Sequence, residues 1–197
     1  MAVVEEPDQY STDFGKCLRY LHSNASRIIP ASVSAEAEKF DILVLGGLGG
    51  RVDQAFSQVH HFYSASQPFH SSPTCGRGEL YLVSEESITF LLRKGRNTIL
   101  TPGCFDLNST KKLDHNDDGG SGPYLTENVG IIPVGGRAVI STHGLEWDVK
   151  DWETVFGGQI STSNHIRADM IEIDTSTPVL FTVELARRLK FTGTGRL

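Results

Sequence analysis

Cysteine is scarce, and its placement excludes two common architectures. Cys17, Cys75 and Cys104 are odd in number, far apart and without CxxC or Cys/His spacing, so neither a disulfide framework nor a zinc site has support, and a reducing compartment is expected. Long apolar runs are also missing: no stretch approaches the roughly 20 residues that cross a bilayer. The opening "MAVVEEPDQYSTDF" has neither a basic-then-apolar signal pattern nor an Arg-rich amphipathic one, which makes a cytoplasmic location the expectation. Positive charge is in deficit, with 18 Lys+Arg against 24 Asp+Glu and a formal net charge of −6, which argues against nucleic acid or an anionic membrane as the main partner.

What is present is an ordinary globular composition, 197 residues with 39% hydrophobic, enough for one large core or two small ones. "AVV" near the start reads as a strand fragment, odd by itself because a strand in a parallel sheet needs neighbours. Ser11 is placed to cap a helix whose Phe14, Cys17, Leu18 and Leu21 share one face. "KFDILVLG" reads as a strand buried on both faces, followed by a glycine loop and a second helical stripe of Val52, Ala55, Phe56 and Val59, so strand, loop and helix form an α/β unit.

From about Leu80 the texture becomes β. "ELYLVSEESITFLLRKGRNTIL" gives short strands with a hairpin break at "SEES" and a turn at "KGRN". Residues 101–128, polar and rich in Gly, Asp, Asn and Ser, read as a loop or disordered insert. Beyond them "VGIIPVGG", "RAVISTHG", "LEWDV", "TVFGGQIS", "DMIEIDT" and "PVLFTVEL" are strands at the spacing of a sandwich or barrel. The expected organisation is an α/β part over 1–100, an insert over 101–128 and an all-β sandwich over 129–197. "ARRLKFTGTGRL" at the end reads as a solvated basic tail.

Three constellations carry candidate chemistry. The first is "GGLGGRVDQ", residues 46–54. It fails the P-loop pattern, lacking Lys-Ser/Thr, and the dinucleotide pattern, which would need glycine at Val52. The physics of phosphate binding remains: Gly49 and Gly50 let backbone N–H groups approach an anion at a helix N-terminus, and Arg51 can fork onto phosphate oxygens. Asp53 fits such a site if Mg²⁺ bridges it to phosphate or if it accepts a hydrogen bond from a second substrate. The plainer alternative is a tight turn with a surface Arg51–Asp53 pair. The second, "PDQYSTDFGKC", gathers Asp8, Gln9, Thr12, Asp13 and Lys16 at a helix start; Asp8 and Asp13 are oxygen ligands of the kind a hard cation takes, or a turn residue and a dipole-favoured helix acid. The third lies in the β half, where Trp147 offers a flat surface for a heteroaromatic ring near the polar cluster Ser161, Thr162, Ser163 and Asn164; a sandwich core tryptophan and a polar turn are the alternatives. The neighbours His60 and His61 cannot share a helix face, so they are read as surface or packing residues.

In order along the chain, "DQYSTDFGKC" resembles the D-Q-x-x-T-D-F-x-K-C segment of the thiamine pyrophosphokinase family, "GGLGGRVDQ" its G-x-x-G-G-R-x-D-H/Q segment, and "GLEWDV" with "FGGQISTSN" its G-L-x-W-x-L and F-G-x-x-x-S-T-S-N segments. The resemblance covers nearly all of the chain outside 101–128. It implies a partial Rossmann-like three-layer α/β catalytic domain followed by an all-β sandwich that binds thiamine, in a homodimer with active sites between subunits. The implied reaction moves the diphosphate of ATP onto the hydroxyl of thiamine and releases AMP, with Mg²⁺. Carried over, Asp8, Gln9, Thr12, Lys16, Gly49, Gly50 and Arg51 look like the ATP and diphosphate side, with Asp8 and Asp13 toward the metal. Trp147, Ser161, Thr162, Ser163 and Asn164 look like the thiamine side. Asp13, Asp53 and Arg51 are the candidate catalytic groups, and either Asp53 or Asp13 would orient the hydroxyl. The chain departs from the family in having no Gly-Asp-x-Asp-Ser motif and in carrying Tyr10 where an acid is common. The expectation that goes with this is a chain short of its N-terminal part, with exposed sheet edges and apolar faces. The alternative is a non-catalytic thiamine-binding and dimerisation fragment.

Overall fold

The segment Val179–Leu185 (VLFTVEL) puts Val179, Phe181, Val183 and Leu185 on one face and Leu180, Thr182 and Glu184 on the other, so one face is apolar throughout and the second is apolar at Leu180, where the strand is buried on both sides. In the computed structural model, which describes residues 3–28, 40–66, 77–104 and 123–190, it is the central strand of the larger of two sheets. The helices are α1 (Asp13–Ser23), α2 (Ala25–Ile28) and α3 (Val52–Ser66). The strands are β1 (Phe40–Leu45), β2 (Arg77–Val83), β3 (Ser87–Leu92), β4 (Gly95–Leu100), β5 (Leu125–Ile132), β6 (Ala138–His143), β7 (Trp152–Thr154), β8 (Ser161–His165), β9 (Met170–Thr175) and β10 (Val179–Leu185). One sheet runs β1-β2-β3-β10-β5-β8 and the other β4-β9-β6-β7.

β1 and β2 pair in parallel through the crossover helix α3; the strand, loop and helix expected from the sequence are thus completed by β2 into a βαβ unit. The neighbouring pairs β2–β3, β3–β10 and β10–β5 are antiparallel. Two cores therefore share one sheet. Val179, Phe181 and Val183 of β10 point between the sheets with Val129, Ile131, Ile140, Ile171 and Ile173. Leu180, one residue out of phase, points the other way with Leu91, Leu82 and the α3 residues Val59 and Phe62. The α/β part and the sandwich are thus joined through a hydrogen-bonded sheet.

Several expectations shift against this frame. β3 and β4, on the N-terminal side of the segment drawn at 101–128, pair with β10 and β9 and so belong to the sandwich sheets. The chain crosses from one sheet to the other at Arg93 and Lys94, and the rest of "KGRN", Gly95 to Asn97, is already strand β4, whereas "SEES" does close the β2–β3 hairpin. Thr101 is buried and donates its hydroxyl to Ala168 O at 2.8 Å, and β5 begins at Leu125, so both ends of 101–128 are structured; residues 105–122 of it lie outside the described residues. "LEWDV" is a turn with a single bridge, Leu145–Ile166, rather than a strand. Val3 and Val4 are exposed coil, because among the described residues nothing pairs with them.

The helices bury different residues from those the periodicity selects. Thr12, not Ser11, caps α1, accepting from Gly15 N at 3.1 Å, while Ser11 donates to Asp8. Gly15 is the buried residue of α1 and Cys17 is exposed. In α3 the buried residues are Val59 and Phe62, whereas Val52 is 70% and Phe56 52% exposed, because the helix rests on the sheet through its C-terminal half. On β1, Leu43 and Leu45 are exposed on the face opposite Val44. No helix among the described residues is long and apolar enough to cross a membrane.

The chain after β10 is held down. Lys190 pairs with Glu184 and Glu86, and Glu184 also accepts from Thr126 Oγ1 at 2.8 Å and from Asn128. Arg188 lies over the Tyr124 ring at 4.8 Å. Residues 186–190 are therefore not a free tail, and 191–197 lie outside the described residues.

Two stability predictions follow. Phe181 is fully buried between the sheets, so Phe181→Ala should cost about 3–5 kcal/mol in urea unfolding. Burial pushes the Glu184 carboxyl up, but hydrogen bonds from Lys190, Asn128 and Thr126 outweigh it and hold it at about 2, against an ordinary 4.5. The fold thus favours the ionised form, so this contribution is complete above about pH 4.5 and lost as pH falls toward about 2. Glu184→Gln should flatten that part of the acid-unfolding curve, read from denaturant midpoints across the same window.

Candidate functional site

The glycine loop hangs between the ends of β1 and β2. Gly46 and Gly47 donate their N–H groups to Val83 O at 2.9 and 3.3 Å, and Leu48 N donates to Gln58 Oε1 at 2.7 Å. Gly46, Leu48 and Gly50 have φ of 81°, 61° and 76°, a left-handed backbone that glycine tolerates and leucine adopts at a cost. Gly47 is locked for another reason: a Cβ there would lie 3.0 Å from Leu82 Cβ. Gln58, unremarked in the sequence reading, is thus the side chain that fixes the loop from inside α3. With the N–H groups of Gly46, Gly47 and Leu48 given to protein acceptors, the anion-favouring part of this segment is its far end at Gly49 and Gly50 with the N-terminus of α3.

Arg51 is turned onto its neighbour. Its Nε and Nη2 donate to the two carboxylate oxygens of Asp53 at 3.1 and 2.6 Å, and the Arg51 hydrogen bond holds the Asp53 carboxyl below its ordinary range. Both side chains are mostly exposed, so the pair adds little stability and is available to exchange partners. This is the surface pair weighed as the plainer alternative; it is also a bidentate donor geometry that a phosphate can accept.

At the start of α1, Asp8 accepts from Ser11 Oγ and from Tyr10 N, the Ser11 bond leading the effect that lowers its carboxyl. Gln9 is exposed in a turn. Asp13 is wholly exposed, 3.8 Å from the Nζ of the more covered Lys16. Thr12 Oγ1 lies 2.6 Å from His61 Nε2 on α3, so the two motif-bearing segments meet through a residue read only as packing. Among the described residues no group of three His, Cys, Asp or Glu side chains converges as a metal cluster.

The third constellation surrounds a pocket of about 210 Å³. Trp147, Ser161, Thr162 and Asn164 line it, and Ser163 does not. Trp147 is 54% exposed, on the turn between β6 and β7 rather than in the core. Two side chains hold that turn. Asp148 accepts from Thr142 Oγ1, Gly144 N and Leu145 N at 2.9, 2.9 and 3.1 Å. Asn164, buried, accepts from Trp147 N at 3.1 Å and donates to Trp147 O at 3.0 Å. His165 stacks against Trp147 with ring centres 5.1 Å apart and sits 2.6 Å from Glu146. A second pocket tryptophan, Trp152, bonded through Nε1 to Gln159 Oε1 at 3.1 Å, was missed. Its only sequence signal is the alternation of "WETV", which does not tell a pocket wall from a core position.

Ser163 has φ 58° inside β8, where the pairing with β5 shifts register between Val129 and Ile131. A bulge re-aims side chains next to it, which explains why Ser163 leaves the pocket wall that its neighbours line.

Fold and site together define a class: an α/β unit with a glycine loop, sharing a sheet with a sandwich that carries an aromatic pocket. The model described as "Thiamin pyrophosphokinase, catalytic domain" matches residues 1–71, and that described as "Thiamin pyrophosphokinase, vitamin B1 binding domain" matches 112–180. The chain belongs to the thiamine pyrophosphokinase family. It is similar to thiamine pyrophosphokinase 1 of Oryza sativa, 28% identical over 93% of this chain and 56% of the relative, and to thiamine pyrophosphokinase 2 of Arabidopsis thaliana, 26% identical over 94% and 57%. The Saccharomyces cerevisiae thiamine pyrophosphokinase is 27% identical over 94% of this chain and 62% of its own length. The chain therefore spans little more than half the length of these curated relatives. In fold it is similar to the yeast enzyme's crystal structure, TM-score 0.67 at 24% identity over 95% of this chain and 64% of that one. Thiamin pyrophosphokinase from Candida albicans gives TM-score 0.66 at 20% identity over 91% and 63%.

The left-handed Ser163 supplies a test of whether this geometry is retained at a cost. Ser163→Gly should raise stability by about 1 kcal/mol, measured as a melting-temperature rise of about 2–4 °C.

Proposed function

We propose that this chain serves the transfer of the diphosphate of ATP to the hydroxyl of thiamine, giving thiamine diphosphate and AMP. The observation that carries the reading is the pocket: an exposed Trp147 face, fixed by Asn164 and Asp148, beside Ser161 and Thr162 hydroxyls. Such a pocket suits a flat heteroaromatic ring with polar edges. The loop 46–51 and Arg51 supply the phosphate side, where forked N–H donors match spreading negative charge in phosphoryl transfer.

In this reading Arg51 moves its fork from Asp53 to the phosphate oxygens, and the released Asp53, or Asp13 at the start of α1, orients the thiamine hydroxyl. Lys16, 3.8 Å from Asp13, with Gln9 and Thr12 of the same segment, completes the nucleotide side in this reading. Mg²⁺ would neutralise phosphate charge, and it is an ion bound by one or two carboxylates plus substrate phosphates rather than by a full protein cage. Asp13, open to solvent, fits that requirement; Asp8 fits it by giving up its bonds to Ser11 and Tyr10. A homodimer, with a pocket facing its partner's phosphate loop, belongs to the same reading, supported by the exposed Trp147, Phe156 and Ile160 in the sandwich half. So does a cytoplasmic setting.

A second reading is a thiamine-binding module without transfer activity. The observation in its favour is that Arg51 and Asp53 are closed on each other. Titration calorimetry with thiamine, alone and with MgATP, and chromatography of AMP separate the two. The expected result is thiamine heat that falls with at least about a tenfold affinity loss in Trp147→Ala, together with AMP formation that requires thiamine. Thiamine heat without AMP establishes the second reading, and absence of thiamine heat removes both.

A further inference from the structure

His61 is the point at which two otherwise separate motif segments touch. α1 carries Asp13 and Lys16, α3 begins at Val52 directly after Arg51 and carries Asp53, and the two helices are far apart in sequence. Phe14 of α1 packs against the core that holds Val59 and Phe62, and beside it three contacts converge on one imidazole. Its Nε2 is 2.6 Å from Thr12 Oγ1, the α1 cap. Phe14 meets the ring edge-on at 5.0 Å. Gly15 is buried so closely beneath it that an added Cβ would lie 3.0 Å from His61 Cε1.

We propose that His61 is a positioning residue for the nucleotide side of the site, holding the cap of α1, and through it Asp13 and Lys16, in register with the N-terminal end of α3. The proposal rests on the ATP-binding reading above and adds to it a residue outside the three sequence motifs. Its chemistry is specific. Thr12 Oγ1 accepts from Gly15 N at 3.1 Å and still has its own proton to give, and that proton is assigned here to His61 Nε2 as acceptor, in the tautomer with its proton on Nδ1. Burial, with the cationic influence of His60 and Arg19 added, keeps the imidazole below its ordinary range and so neutral. The Thr12 hydroxyl thus serves the helix end and the helix–helix junction at once, and a side chain at 61 that fills space without accepting a hydrogen bond would satisfy only the packing.

The test uses this chain with His61→Phe, which keeps an aromatic ring against Phe14 and removes the acceptor, and His61→Gln, whose amide oxygen restores an acceptor at similar reach. Binding of MgATP and of thiamine is measured separately by calorimetry, and hydrogen exchange is followed at the Gly15 and Lys16 amides, bonded to Thr12 Oγ1 and Thr12 O. Expected for His61→Phe is a loss of about fivefold to tenfold in MgATP affinity, the value of one hydrogen bond. Thiamine affinity should stay within about twofold, as for a distant site, with faster exchange in the first turn of α1. His61→Gln should recover both MgATP affinity and protection. Unchanged exchange in His61→Phe overturns the proposal, and so does equal weakening of both ligands, which would mark a general packing role. If the wild-type chain binds no MgATP, the nucleotide reading of the site falls, while the exchange response still decides whether His61 orders α1.

Discussion

A strand buried on both faces is the constraint on which the rest of the molecule depends. β10 sends Phe181 and its even-spaced neighbours into the sandwich and Leu180 toward α3, so one strand stabilises two cores at once. Because β10 sits between β3 and β5, it also aligns the βαβ unit with the sandwich by hydrogen bonds rather than by a linker. A sheet of this kind resists sliding, since a one-residue slip would exchange the two cores. The glycine loop at the β1–α3 junction and the pocket beside β8 are therefore carried by a common rigid element.

On that frame the candidate site is built from backbone held by side chains. Gln58 holds Leu48, Asn164 and Asp148 hold the Trp147 turn, and His61 holds the cap of α1. The residues at left-handed φ include Leu48 in the glycine loop and Ser163 beside the pocket. Strain at such positions persists only where the surroundings over-determine it. At Leu48 those surroundings include the part-buried bond from its N–H to Gln58 Oε1 at 2.7 Å.

The chain's apolar surface has a complementary pattern. Leu43, Leu45, Val52 and Phe56 are exposed around β1 and the first turns of α3, whereas the sandwich covers its core almost completely. A parallel pair normally has both faces covered, so this end of the sheet is the least self-sufficient part of the fold. The periodicity of α3 included Val52 and Phe56 in its apolar stripe correctly as chemistry; the described residues bring nothing against them.

The sequence by itself determined the strand–loop–helix unit, the change to β texture near Leu80, most of the strands that follow though not "TVFGGQIS", whose residues 155–160 turn between β7 and β8, the failure of both standard phosphate fingerprints and the three motif segments, because each is a local pattern of glycine, charge or alternation. It could not determine that β3 and β4 part company into different sheets, that Thr12 rather than Ser11 caps α1, that "LEWDV" is a turn presenting Trp147, or that Ser163 turns away from the pocket. Nor could it show that Gln58, His61 and Trp152 belong with the motifs. Those choices are made by partners distant in sequence, such as β10 for β3, His61 for Thr12 and Asn164 for Trp147. A hydrogen bond or packing contact of that kind leaves no periodic trace in either segment until the fold brings the two together.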